Sequence, residues 1–170
     1  MRRALDATYN AAGFLAALFL MGTLAMVLLG IAGRLLDFHV PGTDAYAGYC
    51  MAGAGFLALA HTLKRGEHIR VTLILERLTG TAHRALTLWT FAAGAVLAML
   101  FAWYSTRLAW QSFDFHDIST ANDATPLWIP QIGMALGAAV LLLAMVDDLV
   151  RLIRHRPVPI AGGAEPKHIE

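Results

Sequence analysis

Long apolar stretches separated by short charged clusters dominate the chain. Residues 7–33, 45–63, 85–106 and 124–146 contain no Asp, Glu, Lys or Arg. A hydrocarbon core of about 30 Å takes roughly 20 helical residues to cross, so each stretch is long enough or nearly so. None alternates apolar and polar positions as the strands of a membrane barrel do. A segment in lipid must satisfy its own backbone hydrogen bonds, and the pattern therefore predicts four spanning helices, at about 8–33, 45–63, 85–106 and 126–146. The first follows "MRR" and exceeds the apolar core of a signal peptide, roughly 7–15 residues, with no convincing small-x-small site before Arg34. It is read as an uncleaved span.

The polar stretch between the second and third runs, "KRGEHIRVTLILERL", has its own periodicity. Val71, Ile74, Leu75 and Leu78 recur at i, i+3, i+4, i+7 and form one apolar face, with Arg70, Thr72, Glu76 and Arg77 largely opposite. This predicts an amphipathic helix over about 66–79, lying in the membrane interface and stopped near Gly80. A chemical reading of Glu67 and His68 as a base pair or metal ligands lacks a complete ligand set, because Glu76 and His83 do not supply a recognisable one.

Composition agrees with a membrane class: 58% of residues are hydrophobic and mean hydropathy is +0.58, above the roughly 45–50% apolar content of soluble domains. A net charge of +1 gives no electrostatic support to nucleic-acid binding. Cys50 is the single cysteine and cannot form an internal disulfide. The distribution of charge adds orientation. Of the 13 Lys and Arg residues, only Arg34 and Arg107 fall in the first and third connections. The rest occupy the termini and the second connection, so both termini are expected in the cytoplasm. Tyr46, Tyr49, Trp103, Tyr104, Trp110 and Trp128 then mark the outer interface, and Trp89 the inner one. The expected fold class is an all-α membrane protein with four transmembrane helices and an interfacial helix between the second and third. Residues 1–156 form the one domain and 157–170, rich in Pro and Gly, a flexible tail.

Ionisable residues inside a span are costly and mark transport paths or cofactor sites. The four runs hold no acidic residue and no Lys or Arg; His61, near the basic end of the second, is expected to snorkel to the headgroups. A haem- or quinone-associated anchor of an oxidoreductase is the alternative reading, but His61 has no second histidine at its depth within the chain. No catalytic residue, cofactor or metal is therefore predicted. Gly48, Gly53 and Gly55, with Gly133-x-x-x-Gly137, permit close helix approach, either among the four helices or with a partner's helix. The third connection, "RLAWQSFDFHDISTANDATP", carries Asp114, Asp117 and Asp123, which read most simply as solvated acids. Pro126 is placed in the first turn of the fourth span.

Three elements together, "GR" at Gly33-Arg34, "KRGEHIRVTLILERL" and "TPLWIPQIGMALG", in this order and spacing, resemble the DctQ-like small permease subunit of tripartite ATP-independent periplasmic (TRAP) transporters. The likeness extends over nearly the whole chain to Arg156. It implies an accessory inner-membrane subunit without enzymatic activity, partnered by a large many-helix permease and a periplasmic substrate-binding protein in sodium-driven uptake of organic acids. It also implies interface roles for Arg34, Arg65, Gly66, Glu67, His68, Arg70, Pro126, Trp128 and Pro130, and a docking role for Asp114, Asp117 and Asp123 towards the binding protein. Asp44 stands where the family usually has an acidic residue near the start of span two, and the match there is one of position alone.

Overall fold

The computed structural model describes residues 2–38, 40–65, 80–121 and 123–154. They form four helices: α1 (Arg2–Leu35), α2 (Thr43–Lys64), α3 (Gly80–Asp114) and α4 (Trp128–Ile153). The amphipathic stretch at 66–79, with Gly66, Glu67, His68, Arg70, Val71, Ile74, Leu75 and Leu78, lies outside the described residues, as does the tail from 155 onward. Among the described residues three helices are long and apolar enough to cross a membrane, over Leu5–Leu35, Thr81–Asp114 and Trp128–Ile153. The 22-residue α2 is not among them: its glycines, tyrosines and histidine dilute its hydropathy, although its length suffices.

Every helix outruns the charge-free stretch that predicts it. The third continues from 106 to Asp114 through Arg107, and the fourth from 146 to Ile153 through Asp147, Asp148 and Arg151. A charge does not end a helix; it only limits how deep that turn sits in lipid. At roughly 1.5 Å rise per residue α1 and α3 are about 50 Å long, well beyond the roughly 30 Å hydrocarbon core, so they tilt or project from it. At the other boundary, α4 starts later than expected. Pro126 precedes the helix, bridged to Ile118, and Pro130 occupies the first turn, where a missing N–H costs nothing.

The helices make two antiparallel hairpins, α1–α2 and α3–α4, joined along α2 and α4. Side by side the order is α1, α2, α4, α3, with α1 touching α4 slightly and α3 reaching α2 only by long side chains such as Phe101 against Phe56. The result is a row more than a closed bundle. Each outer helix turns a stripe of small residues inward: Ala12 and Ala16 on α1, Ala95, Ala98, Ala102 and Ser105 on α3. Their larger residues, among them Phe14, Leu18 and Leu24 on α1 and Leu97, Met99 and Trp103 on α3, point outward.

Two helices stop by the same device. Beyond α1 the Phe38 N–H donates to the Gly33 carbonyl at 3.0 Å, and beyond α3 the Asp117 N–H donates to Ser112 at 3.0 Å. Asp37 (φ 56°) and His116 (φ 54°) take the left-handed residue usually supplied by glycine. Gly33 is required by this turn, because a Cβ there would lie 2.7 Å from the Phe38 carbonyl oxygen.

Candidate functional site

Both hairpins are tied to each other at each end by polar groups, and the glycine seam lies between. At the end carrying the N-terminus, the last residue of α2, Lys64, enters the helix row. Its ammonium donates to Asp147 Oδ2 at 2.6 Å and to Asp148 Oδ1 at 2.7 Å, while Arg151 Nη2 meets Asp147 Oδ2 at 2.7 Å from the next turn of α4. The Lys64 side chain is 12% exposed and that of Asp148 only 1%. Lys64 also sits 5.1 Å from the centroid of the buried Tyr9 ring, which draws α1 into the cluster by a cation–π contact. Two positive and two negative charges balance here, which is the condition for tolerating them at such burial. Tyr9 packs with Ala60, Leu63 and Ala144 beneath the cluster.

Charge counting along the sequence misses this arrangement, because it assigns Lys64 to a loop and ends the fourth span before Asp147. The signal was present as opposite charges at the same end of two apolar runs. His61 also departs from expectation. It does not reach outward; its ring lies over Gly13, where a Cβ would come within 2.8 Å, and its Nδ1 lies 3.2 Å from the Tyr9 carbonyl oxygen. The imidazole that a haem reading requires is thus engaged in joining α1 to α2.

In the seam, three of the five candidate packing glycines serve contacts within the chain. Gly137 of α4 abuts the α2 backbone so closely that a Cβ would fall 2.5 Å from the Phe56 carbonyl carbon. A Cβ on Gly133 would sit 3.6 Å from the Gly53 Cα, and one on Gly53 would meet the Phe19 ring at 3.3 Å. Gly48 and Gly55 face open space, with nothing within 4 Å of a built Cβ. With exposed Ala52 they form an uncovered small-residue strip on α2, bordered by the exposed Met51 side chain.

At the opposite end residues 115–121 and 123–127 form a tight connection. The Ser119 N–H donates to the Thr125 carbonyl at 2.8 Å and the Leu127 N–H to the Asp117 carbonyl at 3.0 Å. This brings Asp123 to α2, where the Tyr49 hydroxyl donates within 3.1 Å of its Oδ2 and lies 2.9 Å from Ser119 Oγ. The Thr125 and Tyr46 hydroxyls hydrogen-bond at 3.0 Å, and Tyr46 packs edge-on against Tyr49. The two tyrosines read as interfacial anchors therefore also fasten a loop. Asp114 and Asp117 remain exposed, while Asp123 is half-buried in the clasp.

Hydrogen bonds from Thr125, then Ser119 and Tyr49, hold the Asp123 carboxyl below its ordinary value against a smaller opposing effect of desolvation. A carboxyl lowered by folding contributes stability that is present above its unfolded value and lost as pH falls through the folded one. The clasp is therefore expected to persist through mildly acidic pH and to open only below the ordinary carboxylate range. Titration of the Asp123 side-chain carbonyl by carbon NMR checks this: its midpoint should lie below that of an unstructured aspartate, and Tyr49→Phe should move it upward.

Of the motif residues that are described, Arg34 lies 4.0 Å from Asp44 with both side chains exposed, and Arg65 caps α2 in solvent. Trp128 packs edge-to-face on Phe113 at 5.6 Å, fixing the start of α4 to the end of α3. Among the described residues no group of three His, Cys, Asp or Glu is placed to hold a metal ion. The arrangement offers tethers, a close-packed seam and open helix faces. A family model, described as tripartite ATP-independent periplasmic transporters, DctQ component, matches residues 23–155. No curated protein matches the chain significantly.

Proposed function

The chain belongs to the DctQ component family of tripartite ATP-independent periplasmic transporters, and from that membership we propose that it scaffolds a large permease subunit in the inner membrane. In this reading the permease imports organic acid anions on a sodium gradient, a periplasmic binding protein delivers them, and all four helices, α2 included, cross the bilayer. The small subunit catalyses nothing. The observation that carries the reading is the open row of helices. Small residues are spent on contacts inside the row, apolar side chains of α1 and α3 face outward, and α2 keeps the uncovered strip at Gly48, Ala52 and Gly55 for a further helix. Lys64 of α2 and Asp147, Asp148 and Arg151 of α4 neutralise one another at one end, which suits a structural task.

Co-expression with a large permease and a binding protein from the same operon tests the proposal. Uptake of an organic acid into proteoliposomes should require all three proteins and an inward sodium gradient. Uptake by vesicles holding this chain alone, or undiminished uptake without it, would contradict the scaffold role. Orientation is tested separately in a Cys50→Ala background. Thr120→Cys and Arg65→Cys place thiols at exposed positions on opposite ends of the row. The asymmetry of basic residues predicts that an impermeant maleimide labels Thr120→Cys in cells with a permeabilised outer membrane, and Arg65→Cys only after lysis.

A further inference from the structure

Between the end of α1 and the start of α2 lies a cavity of about 320 Å³. Its wall is mixed, with the apolar side chains of Leu29, Phe38 and Val40 beside polar groups that include Thr43, and its rim carries Arg34 and Asp44. The apolar part of α1 ends at Leu35, so the cavity straddles the level at which a membrane span gives way to headgroups. The two rim charges are opposite but barely paired. Arg34 Nη2 and Asp44 Oδ2 are 4.0 Å apart with side chains 84% and 93% exposed, against about 2.7–2.9 Å for a charge-assisted hydrogen bond in direct contact. Each therefore retains capacity for another partner. A mixed polar and apolar wall beside a separated positive and negative charge is complementary to the polar head and first acyl carbons of an amphiphile whose head carries both signs.

We propose that this cavity binds the headgroup of an aminophospholipid, phosphatidylethanolamine in chemistry, with its phosphate on Arg34 and its primary ammonium on Asp44. The inference goes beyond the scaffold role and requires only that the helices sit in a bilayer. Arg34 presents N–H groups suited to a phosphate, and an ammonium donates where the Asp44 carboxylate accepts. Choline-headed lipid keeps the charge but has no N–H to donate. Glycerol-headed anionic lipid offers Arg34 its phosphate but gives Asp44 an uncharged glycerol in place of a cation. The first acyl carbons run along the apolar side chains of the wall towards Leu29.

Native mass spectrometry of the full chain, equilibrated in detergent with equimolar dioleoyl phosphatidylethanolamine, phosphatidylcholine and phosphatidylglycerol, tests the assignment. Retention should favour the ethanolamine lipid over each of the others by roughly threefold to tenfold, the range for solvent-accessible charged hydrogen bonds. Asp44→Asn should bring the ethanolamine-to-choline ratio close to one, and Arg34→Gln should lower retention of all three. Both side chains are exposed, so unchanged thermal unfolding should accompany these losses. Water-soluble phosphoethanolamine at millimolar concentration should fail to displace the lipid. Equal retention of ethanolamine and choline lipids by the unaltered chain, an unchanged ratio in Asp44→Asn, or displacement by phosphoethanolamine would each overturn the proposal.

Discussion

Lys64→Met should destabilise the chain by about 3–5 kcal/mol, the usual consequence of removing one member of a buried ion pair. The loss falls mainly on Asp148. Asp147 keeps Arg151 at 2.7 Å, whereas Asp148 is 1% exposed and has Lys64 as its one ion-pair partner among the described residues. Its second carboxylate oxygen is already buried and has no hydrogen-bond partner among the described residues. Lys64→Met combined with Asp148→Leu should recover most of the loss, since replacing an entire buried pair by apolar groups is commonly neutral or favourable. Equilibrium unfolding in micelles, followed by far-ultraviolet circular dichroism or by protease access, compares the two variants. Equal losses in the single and double variants would place the effect in packing against Tyr9 and remove the ion pair as its cause.

This cluster also marks the limit of what the sequence discloses. Four apolar runs are enough to place four helices and their order, because lipid leaves a long apolar segment no other economical way to satisfy its backbone. Their ends are less legible. A run bounded at its first charge stops at 146, although Asp147 and Asp148 continue the helix and turn inward. Whether a charged residue at a helix end faces water or a counter-charge depends on which helix lies beside it, and one-dimensional spacing does not specify the neighbour. Tyr49 and Asp123 illustrate the same point at the other end, 74 residues apart in sequence and hydrogen-bonded in the fold. The family-like elements also divide. Gly33 is explained by the turn closing over it, whereas Gly66, Glu67, His68 and Arg70 lie outside the described residues, leaving their interface role a matter of resemblance.

The glycines give the second large effect, and their two classes should behave oppositely. At position 137 a methyl group would meet backbone, with 2.5 Å to the Phe56 carbonyl carbon and 2.6 Å to its oxygen. A flexible side chain can swing aside, but a neighbouring helix backbone must move as a whole. Gly137→Ala should therefore cost at least the roughly 1–3 kcal/mol typical of overpacking, and Gly137→Leu should separate the two hairpins along α2 and α4. Gly48→Leu and Gly55→Leu enter open space. In the isolated chain they should leave stability unchanged or raise it slightly, because Gly is poorer than Leu in a helix by up to about 1 kcal/mol. If the α2 strip receives a helix of the large permease, the same substitutions should sharply reduce recovery of the complex by affinity purification while the chain remains folded in the membrane. Gly137→Ala should instead lower chain stability and complex recovery together. Full recovery of the complex with both Gly48→Leu and Gly55→Leu in place would assign the strip to lipid and move the permease contact to the outer faces of α1 or α3.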